Sequence, residues 1–147
     1  MIRRRWTTAF GGAALIIALL AFLYDPPWSA EMTTGFHRWE QQQAGGRFRW
    51  TNGHASFFVP ADATMVTVPM RAAFPGPDGA AVIVKVSVDD RWLADIVLDD
   101  SDAWVHPRLP LPRKPTHRSF RRVDVRVGRV RTEGNLGIQT GEISVER

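Results

Sequence analysis

The 147-residue chain contains no cysteine. That excludes a disulfide framework, a thiolate metal site and a cysteine nucleophile. No serine sits in a Gly-x-Ser-x-Gly elbow, so no hydrolase signature is present. His37, His54, His106 and His117 each stand alone in their segments, without an i,i+2 or i,i+4 pair. Paired imidazoles on one strand or helix face are therefore not available to a metal. Repeats and low-complexity tracts are also absent. A basic surplus is missing from most of the chain. The formal net charge is +4, but Arg3, Arg4 and Arg5 precede an apolar run, and from Asp25 onward 16 basic residues face 15 acidic ones. A phosphate-neutralising domain carries a larger excess, so nucleic acid is not an expected partner. No catalytic, cofactor or metal residue is read from the sequence, and the chain is not expected to be an enzyme.

One long apolar run is present. Trp6 to Tyr24 carries no charge, and its length of about 19 residues approaches the roughly 20 that cross a bilayer core. As a helix it would span roughly 27 Å. Trp6 at one end, with Tyr24 and Trp28 at the other, has the placement of interfacial anchors. Asp25-Pro26-Pro27 stops the helix, because proline lacks the amide donor and restrains the residue before it. The three arginines predict a cytoplasmic N-terminus. Residues from about 25 onward then lie outside, in the periplasm of a bacterial inner membrane. A cleaved signal peptide is the rival reading. Ser29-Ala30 offers a small residue at −1, but Trp28 fits −3 poorly, so an uncleaved signal-anchor is expected. Gly11, Ala14, Ala18 and Ala21 share one helix face, where small side chains let a second helix approach. No ionisable residue lies inside the span, so it offers no proton relay or ion path.

Residues 25–45 read as a juxtamembrane linker or short helix, because Met32, Phe36 and Trp39 are spaced four and three apart. From residue 46 to 147 the dominant period is two. Phe48 and Trp50 alternate with arginines and are expected in the core. Asn52-Gly53 predicts a hairpin turn into Ala55, Phe57 and Val59, which places His54 in solvent. Val66, Val68 and Met70 form the next strand. Pro75 to Gly79 is a loop. Val82, Val84, Val86 and Val88 share one strand face, and Asp89-Asp90 turns the chain into a strand from Trp92 to Leu98. Trp104 to Leu111 is proline-punctuated and suits an edge strand or an extended loop. Val123, Val125 and Val127 alternate with Arg122, Asp124 and Arg126. The last strand runs from Leu136 to Val145, with a bulge near Gly141 reconciling its two parities. Together these predict an all-β, jelly-roll-like or Ig-like sandwich of about eight strands behind one N-terminal transmembrane helix.

Gly35-Phe36-His37, Phe48-Arg49-Trp50-Thr51-Asn52-Gly53, Val123-Asp124-Val125-Arg126 and Asn135-Leu136-Gly137-Ile138 carry a resemblance. Over most of residues 28–147 the chain resembles the extracytoplasmic β-sandwich domains attached to bacterial polytopic membrane glycosyltransferases and related envelope proteins. It differs in having one span and no catalytic membrane domain. The resemblance implies an accessory module detached from any transferase.

The charges of the outer domain are segregated. Residues 89–102 hold six aspartates against Arg91, and residues 108–131 hold eight arginines and Lys114 against Asp124. The two blocks either cancel each other or leave a basic stripe, including Arg118, Arg122 and Arg126, for an acidic partner or anionic lipid heads. Asp99-Asp100-Ser101-Asp102 clusters oxygens that calcium could take, although a solvated turn is the simpler account. Trp92 and Trp104, near turns, are candidates for stacking on a sugar. The expected function is a single-span, non-catalytic accessory subunit. It would help assemble a larger respiratory, photosynthetic, transport or glycosyltransferase complex in the lipid bilayer. The alternative is a membrane-tethered carbohydrate-binding module for envelope glycans.

Overall fold

The computed structural model describes residues 3–42, 45–74, 79–99, 103–113 and 116–147, with side chains from residue 12 onward. The side chains of Trp6 and Gly11, the loop at 75–78, the acidic run at 100–102 and Lys114 lie outside the described residues. Arg3–Tyr24 forms helix α1, which is long and apolar enough to cross a membrane. The Asp25 amide closes it on the Ala21 carbonyl at 3.2 Å. Pro26, with φ −69° and ψ 135°, turns the chain out of the helix into a single 3-10 turn at Pro27–Glu31.

The sandwich then begins earlier than the sequence predicts. The segment read as a linker or short helix contains strand β1 (Thr33–Gln41), paired antiparallel with β2 (Arg47–Pro60). Register shifts between Thr34 and Phe36 and between Phe36 and Trp39 explain the misleading spacing. Each extra residue resets the alternation of faces, so apolar residues three and four apart can belong to a strand. Gly35 makes the first shift possible. It has φ +71°, and a Cβ there would stand 2.0 Å from the His54 carbonyl oxygen.

Asn52-Gly53 is not a hairpin turn. β2 runs through it without a break. Gly53 is needed for space, since a Cβ there would meet Val130 Cγ2 at 2.9 Å. His54 therefore sits in a strand. Trp50 is half-buried and stacks on Phe74 at 5.0 Å rather than entering the inter-sheet core.

The next expected strand is split. β3 (Met65–Thr67) joins one sheet and β4 (Met70–Arg71) the other. The expected terminal strand divides in the same way, into β9 (Gln139–Thr140) and β10 (Ser144–Glu146). β3 pairs with β10 and β4 with β9, so one antiparallel ladder bends from sheet to sheet. Pro69 and Gly141 form the corner, where the Gly141 amide donates to the Pro69 carbonyl at 3.0 Å. Proline removes a ladder donor and glycine admits close approach, which is why the bulge predicted near Gly141 is a change of sheet instead.

The remaining strands follow the sequence more closely. In β5 (Val82–Val88) the valines are buried, while Ile83 is 47% exposed. Asp89 and Asp90 make a two-residue turn with φ 50° and 63°, the geometry that matches strand twist in hairpins. β6 (Arg91–Leu98) follows as a sheet edge. β7 (Arg108–Pro110) is an edge of the smaller sheet, as its prolines predict. β8 (Phe120–Val127) lies between β2 and β5. The seven-stranded sheet has the order β4-β9-β2-β8-β5-β6 with β1 on β2, and the three-stranded sheet has the order β10-β3-β7. Among the described residues ten strands thus build the all-β sandwich for which about eight are expected. Val59, Val66, Val68, Met70, Val84, Val86, Val123, Val125 and Ile138, all at 0% exposure, fill the space between the sheets. Burial of this kind contributes about 1.5–3 kcal/mol per side chain.

Candidate binding groove beside Trp104

The bent ladder and the β1–β2 hairpin flank a shallow, open groove of about 610 Å³, lined chiefly by Gln41, Gln42, Arg47, Trp104, His106 and Glu142. In the β1–β2 hairpin the Gln42 amide donates to the Gly46 carbonyl at 3.1 Å and the Gly45 amide to the Gln42 carbonyl at 3.0 Å. The hairpin supplies Gln41, Gln42 and Arg47 to the groove. Arg47 Nε donates to Glu142 Oε1 at 2.6 Å, closing the groove's rim onto the segment between β9 and β10. Val105 pairs with Met70 through two 2.8 Å hydrogen bonds, and this bridge brings Trp104 and His106 to the opposite side. Pro69 and Gly141 form the floor.

Trp104 is half-buried. The Arg71 guanidinium lies 5.1 Å from its ring centroid, and Arg71 Nε donates to Gln139 Oε1 at 2.9 Å. The indole Nε1 has no hydrogen-bond partner among the described residues. A second tryptophan, Trp39, is 39% exposed and lies under Arg47 and Arg49, at 4.6 and 4.7 Å. Arg49 is held between Trp39 and Phe36, the latter at 3.7 Å. Desolvation lowers the Arg49 pKa, and the neighbouring Arg47 charge lowers it further. The groove thus offers a fixed aromatic surface beside two amides, a guanidinium, a carboxylate and an imidazole. Amides and imidazole both donate and accept.

The other sequence-predicted residues do not converge there. Trp92 is 71% exposed on the edge strand, its Nε1 donating to Asp95 Oδ1 at 2.9 Å; it lies outside the groove. Arg118 stacks on Tyr24 at 4.8 Å. Arg122 Nε donates to Asp124 Oδ2 at 2.9 Å, and its Nη2 bonds Asp90. The hydrogen bond to Asp124 is the main reason its pKa is raised. Arg126 is exposed and stands between Lys85 and His54 in the sheet register. Trp28 packs edge-on against Phe22 at 4.7 Å. Ala14, Ala18 and Ala21 are all exposed along α1.

The acidic and basic blocks therefore cancel in part. Arg121, with its side chain 3% exposed, donates through Nε to Asp89 Oδ2 at 2.9 Å and through Nη1 to the Pro112 carbonyl at 2.7 Å. The predicted stripe is consequently not one continuous surface. His54, read as a solvated turn residue, has Nε2 at 2.9 Å from Asp124 Oδ1, whose carboxylate is buried. Ser56 Oγ, two residues along the strand, pairs with Thr34 Oγ1 at 2.7 Å instead. Among the described residues no group of three His, Asp or Glu side chains is placed to hold a metal.

Sequence reasoning missed Gln41, Gln42, Arg47, His106 and Glu142. They come from separate segments, and the adjacent Gly45 and Gly46 are the local signal that could have marked the hairpin carrying three of them.

No protein-family model matches the chain, and no curated protein matches it significantly. Solved structures give distant likenesses. The C-terminal family 6 carbohydrate-binding module of a laminarinase from the marine Zobellia galactanivorans is 10% identical, with a TM-score of 0.45, covering 80% of this chain and 95% of that one. A family 35 carbohydrate-binding module from an environmental isolate is 16% identical, with a TM-score of 0.46, covering 77% and 87%. A family 51 module from Clostridium perfringens, in complex with methyl-galactose, is 10% identical, with a TM-score of 0.41, covering 74% and 79%. Likenesses this distant carry no argument about a ligand, and the sandwich itself rests on the sheet order above.

Proposed function

We propose that the chain is a membrane-tethered, non-catalytic module that binds an envelope saccharide in the groove beside Trp104. The observation that carries this reading is the open groove in which the Trp104 side chain lies beside convergent polar side chains. A sugar presents C–H faces that pack on an aromatic ring and hydroxyls that both donate and accept. One aromatic ring with a few placed polar groups meets both demands. Trp92 drops out of the site, because it lies on a sheet edge outside the concavity.

In this reading α1 anchors the chain in a bacterial inner membrane. Arg3, Arg4 and Arg5 remain in the cytoplasm and the sandwich faces the periplasm. A glycan array probed with the full-length chain in nanodiscs tests the reading. Retention of at least one family of envelope saccharides is expected. An array without a signal for folded protein would overturn it.

The accessory-subunit reading comes second. It is supported by Ala14, Ala18 and Ala21, which are exposed among the described residues. Such a face suits close approach by a helix of a larger complex.

A further inference from the structure

We infer that the cleft where α1 meets the sandwich binds the phosphodiester of a membrane phospholipid headgroup. This rests on α1 being a membrane span and is independent of the saccharide reading. The cleft has a volume of about 390 Å³, and its walls include Tyr24, Phe58, Thr116, Arg118, Phe120 and Arg122. Tyr24 is the last residue of the apolar helix. A tyrosine at the end of a span sits at headgroup level, so the cleft opens at the depth where phosphates lie.

The junction is fixed. Asp25 Oδ2 accepts from the Ser119 amide at 2.9 Å and from the Ser119 hydroxyl at 2.7 Å. This clamps the loop before β8 to the end of the helix. Two carboxylates, Asp89 and Asp90, also line the cleft, but both are committed. Asp89 accepts from Arg121 Nε and from the Arg122 amide, and Asp90 accepts from Arg122 Nη2.

Arg118 differs from its neighbours. Among the described residues it has no carboxylate partner, and its guanidinium carbon lies over the Tyr24 ring, 4.8 Å from the centroid. Stacking orients the planar fork while leaving its edge donors for an anion. Thr116 Oγ1 accepts from the Arg118 amide at 3.1 Å, so its own proton is available to a ligand. A phosphodiester satisfies both groups, since an arginine–phosphate contact is charge-assisted and bidentate. Phe58 and Phe120 supply apolar wall for the glycerol end. The acyl chains would run along the exposed Leu19, Leu20 and Leu23 of α1.

Native mass spectrometry of the full-length chain, released from micelles doped with phosphatidylglycerol, tests this. One retained phospholipid per chain is expected. Arg118→Ala should lower retention by about tenfold or more, and Arg118→Lys should keep part of it. Arg147→Ala, an exposed arginine paired with Asp62 and outside the cleft, should change nothing. Diacylglycerol, which lacks the phosphate, should not be retained, and excess inorganic phosphate should not displace the lipid. Equal retention by folded Arg118→Ala, or retention of diacylglycerol, would overturn the proposal. Displacement by inorganic phosphate would overturn the lipid as its source. An alkaline carbonate wash checks the span separately: release of the protein from membranes would remove the premise, whereas a chain that stays embedded and retains no lipid refutes the cleft alone.

Discussion

The buried Arg121–Asp89 pair gives the sharpest stability prediction. The Arg121 side chain is 3% exposed and Asp89 is 28% exposed. The two residues are therefore unequal. Removing the carboxylate strands a charge that has no access to water. Asp89→Asn is the suitable perturbation, because asparagine tolerates the φ of 50° at this turn and keeps the side-chain shape. Breaking a buried pair from one side costs about 3–5 kcal/mol. Removing the guanidinium with Arg121→Met leaves a carboxylate that can hydrate and a Pro112 carbonyl without its donor. That loss is about 1–2 kcal/mol, the scale of one hydrogen bond left unmade. Asp89→Asn should therefore destabilise more than Arg121→Met, and the double variant should cost less than the sum of the two. Urea unfolding of the full-length chain in mild detergent, followed by tryptophan fluorescence, measures all three. An Asp89→Asn variant within about 0.5 kcal/mol of the parent, or an Arg121→Met variant that is the worse of the two, would refute the reasoning.

Further outcomes follow from the same geometry. Gly35→Ala should fail to fold or lose more than about 3 kcal/mol by thermal unfolding, since its Cβ would stand 2.0 Å from a backbone oxygen at positive φ. Gly141→Ala should cost about 1–3 kcal/mol and weaken saccharide binding, because the new Cβ meets Pro69 Cβ at 3.1 Å and lies 3.8 Å from Trp104 Cζ3. Gentle extraction followed by native sizing should give a larger assembly if α1 docks through Ala14, Ala18 and Ala21. A monomer at every detergent level would dismiss the accessory-subunit reading.

Where local pattern decides structure, the sequence was legible. The alternating valines of β5 and the Asp89-Asp90 turn are set by burial of one face and by backbone preference, and both are visible in a short window. The apolar run ending at Asp25-Pro26-Pro27 is equally local. Readings failed where a distant strand overrides the local signal. Asn52-Gly53 has turn chemistry, yet the flanking pairs Thr51–Phe36 and His54–Arg126 keep β2 running through it. Val66, Val68 and Met70 have uniform parity, but the chain changes sheets at Pro69 because β9 and β10 bend beside it. The first leaves no trace in its own segment, and the second leaves only Pro69, whose partner Gly141 lies far along the chain. The groove is harder still, because Arg47 and Glu142, which meet there, are 95 positions apart in the chain. Trp104 alone of its lining residues was singled out, as an aromatic near a turn.

The central claim is that the groove beside Trp104 holds a saccharide. Its most direct test is a calorimetric titration of the full-length chain in nanodiscs with the strongest saccharide from the array, comparing the parent with Trp104→Ala and Trp92→Ala. Loss of the aromatic wall should weaken binding by about tenfold or more, while loss of Trp92 should leave it unchanged. Unchanged affinity in a folded Trp104→Ala variant, or a loss confined to Trp92→Ala, would contradict the account.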